Sequence, residues 1–276
     1  MLKVFDITGA RVLYARNGSK IVNVQLLTHI GSSNETPQEY GAAHFLEHMF
    51  FKGTPSRDAK QINRDADIMG AKLNAWTWHD FTNYHISVME ENFSNGFELL
   101  ADIYFNATFP EDEMEKERSV ILSEMRRYED DPPSYLSDLA TDHFCKNGLA
   151  HKVIGARETV STLTRAQLIQ FKKCYYGGEN LLIAIAGNLE EEQVRDVVQK
   201  YVTTSTSCTS PESLVEGSYR SGTFSIHKPD IQESQYLLLY PALPFEHPDA
   251  TRQSVMCSVL GGNASAFLFE RIREEL

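Results

Sequence analysis

Two periods of hydrophobic and polar positions run along the chain, a period of two that marks strands and one near 3.6 that marks helices. The opening residues, MLKVFDITGARVLYARNG, alternate almost from the start; residues 11–15 and 21–29 read as two strands joined by a turn at Asn17-Gly18. Residues 38–51 have helical spacing, and Ser56 can cap a second helix that ends near Met69, with Gly70 just beyond. Residues 72–77 and 81–88 read as paired strands. Helical stretches follow at 92–106, 111–129 and 133–145, then one capped by Thr164 that runs to Tyr175. The run LLIAIAG marks a buried strand over 180–186, and residues 190–202 form an amphipathic helix.

Strands first, helices next and a returning strand is an α+β order: a mixed or antiparallel sheet with helices packed on one face. The run TTSTSCTSP at 203–211 starts a linker that spans 203–218. After it, residues 221–227 and 235–240 read as strands, and 249–260 and 267–276 as helices. We therefore expect one domain over 1–202 and the opening of a second, similar one over 219–276.

Composition narrows the function. Of 276 residues, 42% are hydrophobic, enough for a substantial core, and the formal charge of -12 argues against a nucleic-acid partner. No apolar run approaches the roughly 20 residues of a membrane helix, and the N-terminus lacks the apolar segment of a signal peptide. Cysteines at 145, 174, 208 and 257 form no Cys-x-x-Cys pair, so they are read as thiols in a reducing, cytoplasmic setting.

The segment GAAHFLEHMFFKGT, residues 41–54, carries the chemistry. His44, Glu47 and His48 lie at i, i+3 and i+4, one face of a helix, so two imidazoles can grip one metal ion with a carboxylate beside them. This is the His-Glu-x-x-His zinc motif written in reverse. A catalytic zinc takes three protein ligands and a water. The third ligand must come from another element, and the acidic helix 111–129 offers Glu117 and Glu124. These lie about 10 Å apart along the axis, so one suits the ion and the other the support of a ligand.

With 75 residues between His48 and Glu124, and Glu117 seven positions before Glu124, the chain resembles the pitrilysin family, which includes insulin-degrading enzyme and the mitochondrial processing peptidase. The resemblance implies one Zn2+ held by His44, His48 and Glu124. It also implies Glu47 as general base and Glu117 as a supporting carboxylate of the catalytic set. GAKLNAWT at 70–77 resembles the family's substrate-binding edge strand, which implies that Asn74 and Ala75 hold an extended peptide by β-augmentation. FLFERIRE at 267–274 resembles the start of the family's second half, where Arg273 matches a substrate-binding arginine. The expected activity is that of a zinc metalloendopeptidase acting on unfolded peptides. The expected partners are a peptide, a complementary C-terminal half or homologous subunit, or a second copy of the chain. The alternative is a peptide-binding or assembly subunit inactive without its complementary half.

Overall fold

A computed structural model describes residues 2–146, 150–203, 219–229 and 231–275. The chain divides into two compact units, Met1–Gln235 and Tyr236–Leu276.

The first unit is built on a six-stranded mixed sheet. In chain order its strands are β1 (Leu2–Ile7), β2 (Ala10–Arg16), β3 (Ile21–Thr28), β4 (Lys72–Thr77), β5 (Thr82–Met89) and β6 (Leu181–Gly187), arranged as β1-β2-β6-β3-β5-β4. The β2–β6 pair is parallel and all others are antiparallel. Strand periodicity fixes which face is covered. Val22, Val24 and Leu26 of β3 and Leu181, Ile183 and Ile185 of β6 are buried, whereas Gln25, Leu27, Leu182 and Ala184, on the opposite face, are half-buried. Against the buried face pack α1 (Ala42–Phe50), α3 (Phe93–Asn106) and, on α3, α8 (Glu191–Tyr201). Phe50, Tyr84, Tyr104 and Tyr176 meet at the centre, with ring centroids 4.7–6.4 Å apart. Gly96 allows α3 to approach the sheet, since a Cβ there would lie 2.9 Å from Val88 Cγ1.

The remaining helices are α2 (Ala59–Ile68), α4 (Glu111–Asp130), α5 (Pro132–Phe144), α6 (Arg157–Thr162) and α7 (Arg165–Tyr175). Lys116 pairs with Glu113 one turn away on the exposed side of α4, Arg118 turns inward to the carbonyls of Val160 and Leu163, and Met114, Ile121 and Met125 face the core.

Several expectations are corrected. The strands on either side of Asn17-Gly18 do not pair as a hairpin, because β6 inserts between them. The cap of α2 is Asp58, whose carboxylate accepts from Gln61 N at 2.7 Å; Ser56 Oγ is instead committed to Asp102 at 3.0 Å. The metal-motif helix begins at Ala42, since Gly41 adopts φ 96° and residues 38–41 form a turn. The short α6 has no counterpart in the sequence reading. Residues 221–227 and 235–240 are not strands, for a strand needs a ladder partner and the described residues give this region only an isolated Cys145–Tyr219 bridge.

The second unit holds α9 (Ala250–Gly261) and α10 (Phe267–Phe269), which continues as a π-turn over Glu270–Glu274 rather than as the regular helix expected. Among the described residues no helix is long and apolar enough to cross a membrane. Of the proposed linker, residues 204–218 lie outside the described residues.

Candidate metal centre

The nine-residue α1 carries three of the candidate side chains at once. Its apolar face, Ala42, Ala43, Phe45, Leu46, Met49 and Phe50, is buried, which turns His44, Glu47 and His48 toward α4 and β4. The two imidazole rings stand 4.8 Å apart at 65°. Glu124, from the middle of α4, completes the group: its Oε2 lies 3.8 Å from His44 Nε2 and 3.8 Å from His48 Nε2.

At 3.8 Å no hydrogen bond links these atoms. Three lone-pair donors from three residues therefore converge within 4.8 Å of one another without satisfying each other. Two atoms on a tetrahedral zinc would sit about 3.4 Å apart, so the observed spacings of 3.8 Å need only a small contraction. Two imidazoles and a carboxylate are also a donor set that zinc accepts. On both counts, these three residues could hold the ion.

Neighbouring groups fix His48 and Glu124. Glu117, buried one face down on α4, accepts from His48 Nδ1 at 2.9 Å and pairs with Lys52 at 2.6 Å. This bond assigns the proton of His48 to Nδ1 and leaves the Nε2 lone pair toward Glu124. Burial alone would raise the Glu117 carboxyl, but the hydrogen bonds from Lys52 and His48 outweigh it and hold it below the usual range. Burial, with the neighbouring His48 imidazole second, holds His44 down to about 3, so its ring is neutral at neutral pH. Arg127 reaches the other oxygen of Glu124 at 3.2 Å.

Glu47 occupies the space between this cluster and the sheet. The Thr77 hydroxyl donates to its Oε2 at 2.5 Å. Burial pushes its carboxyl above the usual range, and the hydrogen bond from Thr77 and the charge of His48 only partly oppose this. Thr77 ends β4, the last strand of the sheet, so the outer side of β4 is an unpaired edge. Because Trp78 N donates to Phe81 O, alternation makes Trp76 and Asn74 the bonded partners of β5. The main-chain groups of Leu73, Ala75 and Thr77 consequently point away from it. Asn74 Oδ1 takes up the Ala75 N–H at 2.9 Å.

The structure thus brings together His44, Glu47, His48, Glu117, Glu124 and the Asn74-Ala75 edge. Arg273 belongs to the second unit, exposed, with its guanidinium 4.9 Å from the centre of the Phe269 ring. Sequence reasoning missed Thr77, Lys52 and Arg127. Lys52 sits four residues after His48, in the turn just past the end of α1, and that short separation was the available signal.

Residues 11–157 match the insulinase family, peptidase family M16, and residues 162–276 match the peptidase M16 inactive domain. The chain belongs to peptidase family M16. A relative in Bacillus subtilis (strain 168), named as the uncharacterized zinc protease YmxG, is 30% identical to this M16 chain over 274 residues, which cover 97% of the chain and 65% of YmxG. The fold is shared with a protease from Helicobacter pylori, at a TM-score of 0.87 and 23% identity over 99% of this chain and 68% of that one. The first half of the periplasmic protease PqqL from Escherichia coli matches 78% of this chain and 48% of its own at a TM-score of 0.68 and 27% identity. The M16 chain spans about half to two thirds of the length of the curated relatives it matches, between 49% and 65%.

Proposed function

We propose that this chain carries the catalytic centre of a zinc endopeptidase that cleaves extended peptides. The observation that carries the reading is the convergence of His44 Nε2, His48 Nε2 and Glu124 Oε2 beside a carboxylate that is tethered to an unpaired sheet edge. In this reading His44, His48 and Glu124 hold the ion. Zinc there supplies Lewis-acid polarisation of a carbonyl and lowers the pKa of a coordinated water toward about 7.

The residues of the chain do the rest. The outer edge of β4 binds the peptide main chain as an added strand, which holds an unfolded segment without selecting one side chain. The Ala75 N–H passes from the Asn74 amide to a peptide carbonyl, and the Asn74 side chain then turns to the peptide. Glu47, positioned by Thr77, accepts a proton from water and returns it to the leaving amine. Its elevated pKa suits a group that must hold the proton between those steps. Glu117 and Lys52 orient His48. Arg273 is assigned to peptide binding by its place in the family pattern alone.

A second reading has its own support. The chain covers only part of its relatives, and residues 162–276 match a domain named inactive. In that reading residues 1–202 form the metal domain, 203–218 a linker and 219–276 the opening of a second domain, and turnover requires a complementary half. Glu47→Gln tests the main reading: the amide still hydrogen-bonds but cannot take a proton, so zinc content should stay at one per chain while peptide cleavage falls by roughly 100- to 10,000-fold. Undiminished turnover would remove Glu47 as the base. Wild-type cleavage that appears only when a complementary half is supplied would favour the second reading.

A further inference from the structure

Beside the metal helix lies a buried carboxylate that none of the proposed chemistry uses. The Glu35 side chain is fully buried. Its Oε2 accepts the Gly41 N–H at 2.8 Å and its Oε1 the Ala43 N–H at 2.8 Å. Gly41 is the N-cap of α1 and, as a glycine, has no side chain with which to cap it. A residue six positions upstream therefore does the capping, and it does so with both oxygens.

Glu35 is also one end of a larger clasp. Ser32 N donates to Trp78 O at 3.1 Å, Ser33 N to His79 O at 2.8 Å, and Ser32 Oγ lies 3.0 Å from His79 Nδ1. At Gly31 the approach is so close that a Cβ would fall 2.4 Å from Trp78 O. The five residues 31–35 are thus bonded at one end to the turn between β4 and β5 and at the other to the first turn of α1. His151 locks the segment from outside: its Nε2 donates to Ser32 O, and its ring stacks on Tyr40 at 4.1 Å. Gly41 in turn is pressed against Gly155, where a Cβ would meet the Gly41 backbone at 2.4 Å.

This arrangement matters because the candidate site has two parts on two elements. The ligands His44 and His48 ride on α1, and the peptide edge is β4. The Thr77–Glu47 bond ties the two together at the site itself. The clasp sets where α1 begins, two residues before His44, and holds that point against the hairpin that carries the edge. Loss of the two Glu35 bonds frees the first turn of a helix only nine residues long, and His44 lies in that turn.

We propose that Glu35 is a positioning residue for the metal centre, which fixes the start of α1 relative to the β4 edge so that His44 and His48 meet Glu124 in ligand geometry. The proposal rests on the zinc reading above. Its test uses the full 276-residue chain, zinc affinity by chelator competition on folded protein, the absorption spectrum of the cobalt(II)-loaded form, and thermal unfolding. Glu35→Ala should weaken zinc binding on the order of tenfold and alter the cobalt spectrum. Glu35→Gln keeps the shape and one acceptor oxygen, so it should fold if the alanine variant does not, with an intermediate loss of affinity. Asp58→Ala, which removes the cap of α2, is the control for plain destabilisation: it should lower the Tm yet leave zinc affinity and spectrum unchanged. Wild-type affinity and an unaltered spectrum in folded Glu35→Gln and Glu35→Ala would overturn the positioning role alone. A wild-type chain that binds no zinc would overturn the metal reading, and this role with it.

Discussion

The bond between Glu117 and His48 makes a quantitative demand on metal affinity. Glu117 touches the ring nitrogen opposite the one that faces Glu124, at 2.9 Å, with its side chain 10% exposed. Solvent screening is therefore weak, and a charge-assisted hydrogen bond of this kind contributes about 1.5–3 kcal/mol. Substitution of such outer partners weakens metal binding by roughly 10- to 100-fold, or about 1.4–2.8 kcal/mol at 1.4 kcal/mol per tenfold. Glu117→Gln keeps an acceptor oxygen but removes the charge, so it should lie near the tenfold end. Glu117→Leu removes both and leaves Lys52 without the carboxylate it meets at 2.6 Å, so it should lie near the hundredfold end. Glu124→Gln removes a ligand atom and should exceed both. Competition against a chelator of known affinity, on protein shown to be folded by circular dichroism, gives all three constants. If Glu117→Leu binds zinc as tightly as wild type, or more weakly than Glu124→Gln, the division into ligand and support is wrong.

Two further outcomes follow from the electrostatics. The Thr77 hydroxyl stabilises the charged form of Glu47 and so lowers its pKa; in Thr77→Val the acid limb of the kcat/KM profile should move to higher pH, and superimposable profiles would show that Glu47 does not set that limb. Burial would raise the pKa of Asp102, but hydrogen bonds from Asn106, Thr54, Arg57 and Ser56 hold it below its usual value. A depressed folded pKa means that its stabilisation is complete above the unfolded value of about 3.9 and disappears as pH falls through the folded one. Asp102→Asn should therefore be less stable at pH 7, and its stability should fall less steeply below about pH 4, as read by denaturant unfolding at several pH values; an unchanged slope would remove Asp102 from the acid response.

What could be read from the sequence tracks how local the signal is. His44, Glu47 and His48 share a helical face within five residues, so their juxtaposition needs only periodicity. Glu124 lies 76 positions after His48, and periodicity left it level with Glu117; the family spacing separated them. Five strands of the sheet were legible as separate strands because each alternates or is continuously apolar, whereas β1 was legible only as an alternating opening run not divided from β2. Their order was not, since the insertion of β6 between β2 and β3 is set by pairing across more than 150 residues, and an Asn-Gly turn gives the same local pattern in a hairpin and a crossover. Ser56 and Asp58 are both cap formers, and only the tertiary bond from Ser56 to Asp102 decides between them. Glu35 gave no local signal, because it caps a helix from six residues away. The segments 221–227 and 235–240 have strand composition but find no ladder partner among the described residues, in keeping with alternation stating a preference and pairing making the strand.

The two carboxylates that flank His48 are driven in opposite directions, and this separation is the strongest electrostatic argument for their division of labour. Glu47 and Glu117 are the same residue type, carried on α1 and α4, and both are largely removed from water. Glu117 meets a lysine ammonium and an imidazole N–H, so burial is outweighed and it remains an anion that holds His48 in one tautomer. Glu47 meets one hydroxyl and stands in the field of the Glu124 carboxylate, so burial prevails and its affinity for a proton rises. In the proposed mechanism, an anion that must never protonate and a base that must protonate in each cycle need opposite surroundings. Lys52 and Thr77, two of the residues that the sequence reading passed over, supply that difference.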